Sequence, residues 1–444
     1  MTDESRRGVR SRLAALRLDL TPLRTSRDFR LLFVAKTVFY LGFMVGYVTV
    51  PWQLYALTRS NFAVGAFGLV QIVPLIVAGL YGGALADRAD RRRILVVAGA
   101  AQVLATAGLM MNALLPNPSL VAIYVCGVVV AMANSLQRPA SEALTQRVVR
   151  HDELPAAVAV GSVGAQVAML VGPALGGLLI AQAGPEWAFG VTLAGLVVAT
   201  GLFAALRPYP PLEKKDAAVG TLREIREGLA YAAGRPDLLG TYVVDLVAML
   251  LAMPMVLFPA LALDVLHRPE LLGLLYSAGV VGSLAATVTS GWTARVRRQG
   301  RAIVLAAAGW GAAVALAGLA STVWLVLLML ALAGACDLIS GLFRGILWNQ
   351  TIPDSHRGRL AGIEMLSYLI GPLGSEARAG LVADATSVRT AVVSGGVLCV
   401  AGVAASGALL REFWRYDATT DEHAVREREL RSVRDAAQPG CRPA

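Results

Sequence analysis

The sequence predicts an all-α membrane protein of twelve transmembrane helices in two pseudo-symmetric six-helix bundles. Three observations carry this. The 444 residues are 56% hydrophobic and 16% charged, with a mean hydropathy of +0.61, whereas soluble domains average about 45–50% apolar and about 25% charged. Apolar runs of membrane length recur, and 18 or more such residues read as a membrane helix. The net charge of +10 is distributed by loop. Basic residues crowd every other connection and leave the alternate ones nearly bare, the positive-inside pattern that sets orientation. The 45 glycines suit close helix packing.

The elements follow in order. A basic cytoplasmic segment, 1–28, has no apolar core before Leu31 and no small-residue cleavage site, so no cleavable signal is expected. The first span, 29–56, carries Pro51 and the aromatic series Tyr40, Phe43 and Tyr47 at helical spacing, which suits either core packing or a cavity wall. Arg59 alone charges the connection to the second span, 62–86. That span ends in Gly83-Ala-Leu-Ala-Asp-Arg-Ala-Asp-Arg-Arg-Arg-Ile-Leu95, where one acid, Asp87, stands at the membrane rim before four arginines. The third and fourth spans, 94–115 and 119–138, share an uncharged connection and precede the basic stretch 138–150. The fifth and sixth, 155–182 and 187–206, have only Glu186 between them.

These six spans form an N-terminal bundle, 29–206. The cytoplasmic linker 207–238 opens with Pro208, Pro210 and Pro211. Within it Leu222, Ile225 and Leu229 share one face, and Arg223, Glu224, Arg226 and Glu227 the other. That pattern suits a helix on the membrane surface with cations toward anionic lipid, or an ordinary linker helix. The second bundle, 239–411, holds spans 239–264, 270–293, 302–320, 322–346, 360–383 and 389–411, followed by a charged tail, 412–444. An even span count leaves both termini on one side, which the arginine bias makes the cytoplasm.

Several function classes are excluded. Charge divided by apolar spans offers no continuous basic face, so no nucleic-acid partner is expected. The chain lacks a Gly-x-x-x-x-Gly-Lys-Ser/Thr loop for ATP. His151, His267, His356 and His423 are dispersed without metal spacing, and Cys126, Cys336, Cys399 and Cys441 are too scattered for a disulfide framework. No enzyme, metal or cofactor is expected.

The halves echo each other about 200 residues apart. Val171-Gly-Pro-Ala-Leu-Gly-Gly177 matches Ile370-Gly-Pro-Leu-Gly-Ser-Glu376, Gln146 matches Gln350, and 83–93 is echoed by 291–301 with Arg295 in place of Asp87. Duplicated halves around a midplane site are a transporter architecture.

On Gly83, Leu85, Ala86, Asp87, Arg88, Arg91 and Arg92 the chain resembles the major facilitator superfamily, and the resemblance implies that fold. It also implies a cytoplasmic gate in which the aspartate meets basic groups and the start of the eleventh helix. Asp90 stands where that family usually has glycine. Gly172, Pro173, Gly176 and Gly177 resemble the fifth-helix signature of facilitator exporters, a bend that packs closely. The fourth span has no arginine at its middle, Arg138 lying at its end, so the proton-relay arginine of drug-proton exporters is not carried over. The stretch 111–124, Arg27-Asp-Phe-Arg30, Pro51 and the Gly371–Glu376 region resemble the siderophore-exporter branch, which includes macrolide-exporter-like members.

Ionisable groups inside spans are costly and mark function. Asp337, Glu376, Asp245 and Glu364 are proton-coupling candidates. Asp337 and Arg344 are seven apart on one helical face, which suggests a partnership through an intervening group. Lys36, Tyr40, Phe43, Tyr47 and Arg344 are cavity candidates, Lys36 being equally suited to snorkelling toward the cytoplasmic edge. The expectation is a monomeric inner-membrane secondary carrier that exports a siderophore or another amphiphilic small molecule. It would draw on protons and contact membrane lipids. An importer, a lipid flippase or a non-transporting receptor are the alternatives.

Overall fold

In the computed structural model, residues 19–210, 227–228 and 230–437 are described, except for the side chains at 80–88, 354–355, 357–359, 361–366, 368–369, 431 and 433–437. Twelve long helices follow one another: α1 Arg27–Thr58, α2 Asn61–Arg88, α3 Arg91–Ala113, α4 Leu120–Val148, α5 Leu154–Ala183, α6 Pro185–Ala204, α7 Pro236–Ala252, α8 Leu272–Val288, α9 Gln299–Leu319, α10 Val323–Thr351, α11 Asp354–Ala385 and α12 Val388–Leu409. Among the described residues eleven spans are long and apolar enough to cross a membrane. Large apolar side chains point outward along them: Leu104, Val121, Val288 and Leu409 are 73%, 71%, 87% and 82% exposed. Such exposure is tolerable only against lipid. The expected all-α membrane architecture is the observed one, with twelve long helices.

Helix starts follow local chemistry. Asp90 caps α3 by accepting from the Arg92 amide at 2.9 Å, and Ser387 caps α12 by accepting from Thr390 at 3.1 Å. Pro185 and Pro236 occupy first-turn positions of α6 and α7, where a missing N–H costs nothing.

The chain forms two compact units. One comprises Met1–Tyr47, Val77–Gly176 and Ala183–Ala217; the other comprises Val48–Ile76, Gly177–Gln182 and Ala218–Ala444. The core of the first is built on Phe29, Leu32, Leu95, Leu144 and Phe203, each 2% exposed or less. In the second, α8 and α10 cross so tightly that a methyl group on Gly282 would strike the Ala331 carbonyl, and one on Gly334 the Gly279 carbonyl. Small residues allow this approach.

Three elements differ from the sequence reading. The fourth helix continues to Val148, ten residues past the expected end, so Arg138 lies within it. The seventh span is not one helix: α7 stops at Ala252, and Pro254 and Pro259 lead through short 3₁₀, α and π turns to Val265. Proline removes an amide donor and biases its predecessor away from helix; Met253 accordingly has ψ of 112°. The segment after Leu409 is not simply a solvated tail. Phe413 is fully buried against Gly240 and Gly300, where a Cβ would collide with it. Ala418 donates to the Arg297 carbonyl at 3.1 Å, and a last helix, α13, spans Glu422–Ala437.

Candidate transport site

The first unit contains a cavity of about 400 Å³. Phe33, Lys36 and Tyr40 form one stripe on α1 by their spacing of three and four, and all line it together with Arg138, Ser141 and Glu142 of α4. Lys36 lies nine residues past Arg27, about 14 Å along the axis. Glu142 is the carboxylate whose charge reaches it. Glu142 also pairs with Arg138 one turn away at 3.2 Å. The lengthened α4 is what brings these two charges to the cavity. Of the other cavity candidates, Phe43 stacks on the buried Phe39 with ring centroids 6.0 Å apart, and Tyr47 is an exposed residue.

The second unit holds a buried charge cluster. Arg344 of α10 and Asp245 of α7, 3% and 5% exposed, form an ion pair, and Ser367 of α11 donates to the other Asp245 oxygen at 3.3 Å. Asp337 is half-buried and within the field of both. The sequence suggested an Asp337–Arg344 partnership through an intervening group; Arg344 makes its ion pair with Asp245. Asp245 lies beside the guanidinium, whose charge also reaches Asp337.

The break after α7 is satisfied by neighbouring side chains. Ser375 of α11 accepts from the Met253 amide at 3.1 Å, Arg378 donates to the Leu251 carbonyl at 2.5 Å, and Tyr276 of α8 donates to the Met255 carbonyl at 3.1 Å. Backbone groups freed inside a membrane must be re-satisfied in this way. The role of Arg378 is therefore to close a broken helix.

The turn between α1 and α2 is clasped on both sides. Tyr55 and Arg59 reach Asp264, beyond the α7 break, by a short hydrogen bond and by an ion pair at 3.3 Å. Arg59 has φ of 52°, a left-handed conformation uncommon for a side-chain-bearing residue. Asp384 at the end of α11 accepts from Ser60 Oγ (2.5 Å), the Asn61 amide (2.8 Å), Asn61 Nδ2 (2.9 Å) and the Phe62 amide (3.0 Å). It thus caps α2 from another helix. Below the cap the backbones touch: a methyl group on Gly65 would strike the Glu376 carbonyl, and one on Gly380 the Asn61 carbonyl. Glu376 itself lies against Gly68, where a Cβ would come within 2.7 Å of Oε2.

The connection before α3 ties helix ends together. Arg91 donates to the Ala143 carbonyl at 3.2 Å and Arg92 to that of Ala204. Tyr209 donates to Asp28 at 2.7 Å, and its amide reaches Asp90 at 3.3 Å. Burial first, then the hydrogen bond to Asp28, pushes the Tyr209 phenol up to about 12, so it remains a donor at neutral pH. Asp90, which replaces the expected glycine, serves here as cap and acceptor. The gate side chains at Gly83, Asp87 and Arg88, the acid Glu364, and the amphipathic positions Leu222, Ile225 and Leu229 lie outside the described residues. In α5, Pro173 sits inside a continuous helix. Gly172 faces Met44 and Gly176 the Val45 carbonyl, while Gly177 abuts Gly273. Asp264, Asp384, Ser375 and Glu142 escaped the sequence reading. Their one signal was an acid or hydroxyl at a span end or on a helix face turned from lipid.

Comparison with known proteins adds the family. A family described as transmembrane secretion effector matches residues 18–435. The enterobactin exporter EntS of Salmonella typhimurium is 32% identical over 391 residues, covering 87% of this chain and 93% of that protein. EntS of Citrobacter koseri is 30% identical over 388 residues, covering 87% and 92%. Among solved structures, a bacterial homologue of the iron transporter ferroportin in an inward-facing state superposes with a TM-score of 0.69 at 16% identity, covering 87% of this chain and 98% of that one. A peptide transporter, POT, gives 0.69 at 12% identity, covering 88% and 95%. At those identities the structures establish the fold.

Proposed function

The chain belongs to the transmembrane secretion effector family of the major facilitator superfamily, and from that premise we propose that this membrane transporter performs proton-coupled efflux of a siderophore or another amphiphilic small molecule by alternating access. The names of its relatives support the cargo class. The basic loops support a cytoplasmic-membrane orientation with both termini inside; in that orientation the Asp264 and Asp384 clasp would face outward.

One observation carries the coupling. Asp245 and Asp337 share a single guanidinium, Arg344. The cluster therefore keeps one net negative charge unless a proton neutralises it, and net charge is costly at this depth. Cycling between the charged and neutral cluster is the step that a proton gradient drives. Glu376, against the Gly65–Gly68 face of α2, is the second protonation site in this reading, on the α2–α11 contact that the cycle would part.

Everted membrane vesicles given an imposed pH gradient test this reading. Uptake of a radiolabelled catecholate siderophore, or of a fluorescent amphiphile, is expected to follow the gradient and to collapse with an uncoupler. Asp337→Asn and Glu376→Gln are each expected to abolish gradient-driven accumulation while sparing exchange. If both variants accumulate cargo like the parent, the assignment is wrong. Uptake by right-side-out vesicles alone overturns export.

A further inference from the structure

We propose that the α1–α4–α5 cavity is a subsite for an anionic, aromatic end of the cargo, with Lys36 as its counter-charge and Ser141 as a second polar anchor. This deepens, and rests on, the efflux reading. The cavity presents one cation without a direct partner: among the described residues no ion pair or hydrogen bond engages Lys36. An ammonium at this depth is costly unless matched by charge or water, and Glu142, whose charge reaches it, is committed to Arg138 at 3.2 Å. An incoming anion completes what Glu142 supplies only from a distance.

A second observation is independent of charge. Ser141 is 7% exposed and lines the same cavity, yet its hydroxyl has no hydrogen-bond partner among the described residues. Buried hydroxyls are normally satisfied, so this donor suits an oxygen brought by a ligand. The neighbouring Gln137 does not compete for the role. Gln137 accepts from Gln102 at 3.0 Å and donates to the Leu95 carbonyl at 3.4 Å. The remaining requirement, a flat apolar body, comes from Phe33 and Tyr40 on either side of Lys36. A cation flanked by rings selects an aromatic acid over an aliphatic one, because the rings bury the ligand's face while the ammonium meets its charge.

Salicylate and its uncharged amide, salicylamide, are the probes, and equilibrium binding of each tritiated compound to the purified full-length protein is the measurement. Salicylate is expected to bind at least tenfold more tightly than the amide. Lys36→Gln should bring the two within about twofold, Lys36→Arg should retain most of the preference, and Ser141→Ala should weaken both probes. A preference that survives Lys36→Gln overturns the subsite, as does a parent protein that shows no preference or binds neither probe. Vesicle efflux of a neutral amphiphile separates this from the underlying reading. Lys36→Gln should lower efflux of an acidic amphiphile at least tenfold more than that of the neutral one, and equal loss of both would mean that Lys36 is structural. Absence of any efflux by the parent would sink the export reading, while the binding ratio would still judge Lys36.

Discussion

Replacing Asp384 with alanine removes the acceptor of four donors at once: Ser60 Oγ, the Asn61 and Phe62 amides and Asn61 Nδ2, at 2.5–3.0 Å. Two of these are first-turn amides of α2, so the carboxylate acts as its cap. Losing such a cap costs about 1 kcal/mol, within a range of roughly 0.5–2, and the lost charge at the helix dipole adds about 0.3–1. The site is exposed enough for water to replace part of the loss, so the sum is held at about 2 kcal/mol, a factor of about 30 in an equilibrium constant. In the proposed alternating-access cycle the α2–α11 seam opens, and the clasp would resist that opening. In a background lacking the native cysteines, Leu373→Cys reports on that seam, because its parent side chain lies against Gly68. Membrane-impermeant maleimide added to intact cells should label it about 10–30 times faster once Asp384→Ala is introduced. Asp384→Asn, which keeps one acceptor oxygen, should fall between. A lowered melting temperature with labelling within twofold of the parent would make Asp384 a stabilising cap only and refute its role as a latch.

Asp245→Asn strands a buried guanidinium and should cost about 3–5 kcal/mol of stability, most of it recovered by adding Arg344→Met, since removing one partner costs more than removing both; thermal unfolding of the four-member cycle measures this. Ser375→Ala and Arg378→Met each leave a backbone group of the α7 break unpaired, an expected loss of about 1–3 kcal/mol, and hydrogen exchange should quicken around 251–255. Phe413→Ala should undock the end of the chain at a cost of about 3–5 kcal/mol, read as faster proteolysis after Leu410. Tyr209, raised to about 12 by burial and Asp28, gives its bond in full below the ordinary phenol value of about 10 and loses it as pH climbs through about 12; an ultraviolet titration of the parent against Tyr209→Phe should show no ionisation of this residue below about pH 11.

Much of the fold was legible because lipid contact demands uninterrupted apolar runs, and the twelve helices begin and end near them. Lys36 and Tyr40 were legible as cavity residues for a related reason, a charge and a phenol at helical spacing inside such a run. The Asp245–Arg344 pair was not, because its members lie 99 positions apart in the chain and no local rule joins them. The same holds for Asp384, which reads locally as a solvent-facing acid and acts as the cap of a helix more than 300 residues earlier. The α7 break left a visible mark in Pro254 and Pro259, but the segment stays apolar through the break, so hydropathy ran on where the helix did not.

The error at α4 runs in the opposite sense and is more instructive. Hydropathy reports contact with lipid, and a helix that turns one side to a wet cavity becomes polar before it stops being helical. The expected end at 138 and the observed end at Val148 differ over the stretch that carries Ser141, Glu142 and Gln146, all of which line the cavity. The disagreement between apolar run and helix therefore coincides with the cavity that these residues line. The second half has a counterpart: α10 continues to Thr351, five residues beyond the apolar run that ends at 346, and the extension includes Gln350, the echo of Gln146. In both halves the polar extension belongs to the helix that also carries the charged residues of the site, Arg138 and Glu142 in one and Asp337 and Arg344 in the other. A duplicated pattern of this kind is expected where two helices related by the repeat border an aqueous path, and lipid-facing helices such as α6, which ends within two residues of its apolar run, have no reason to show it.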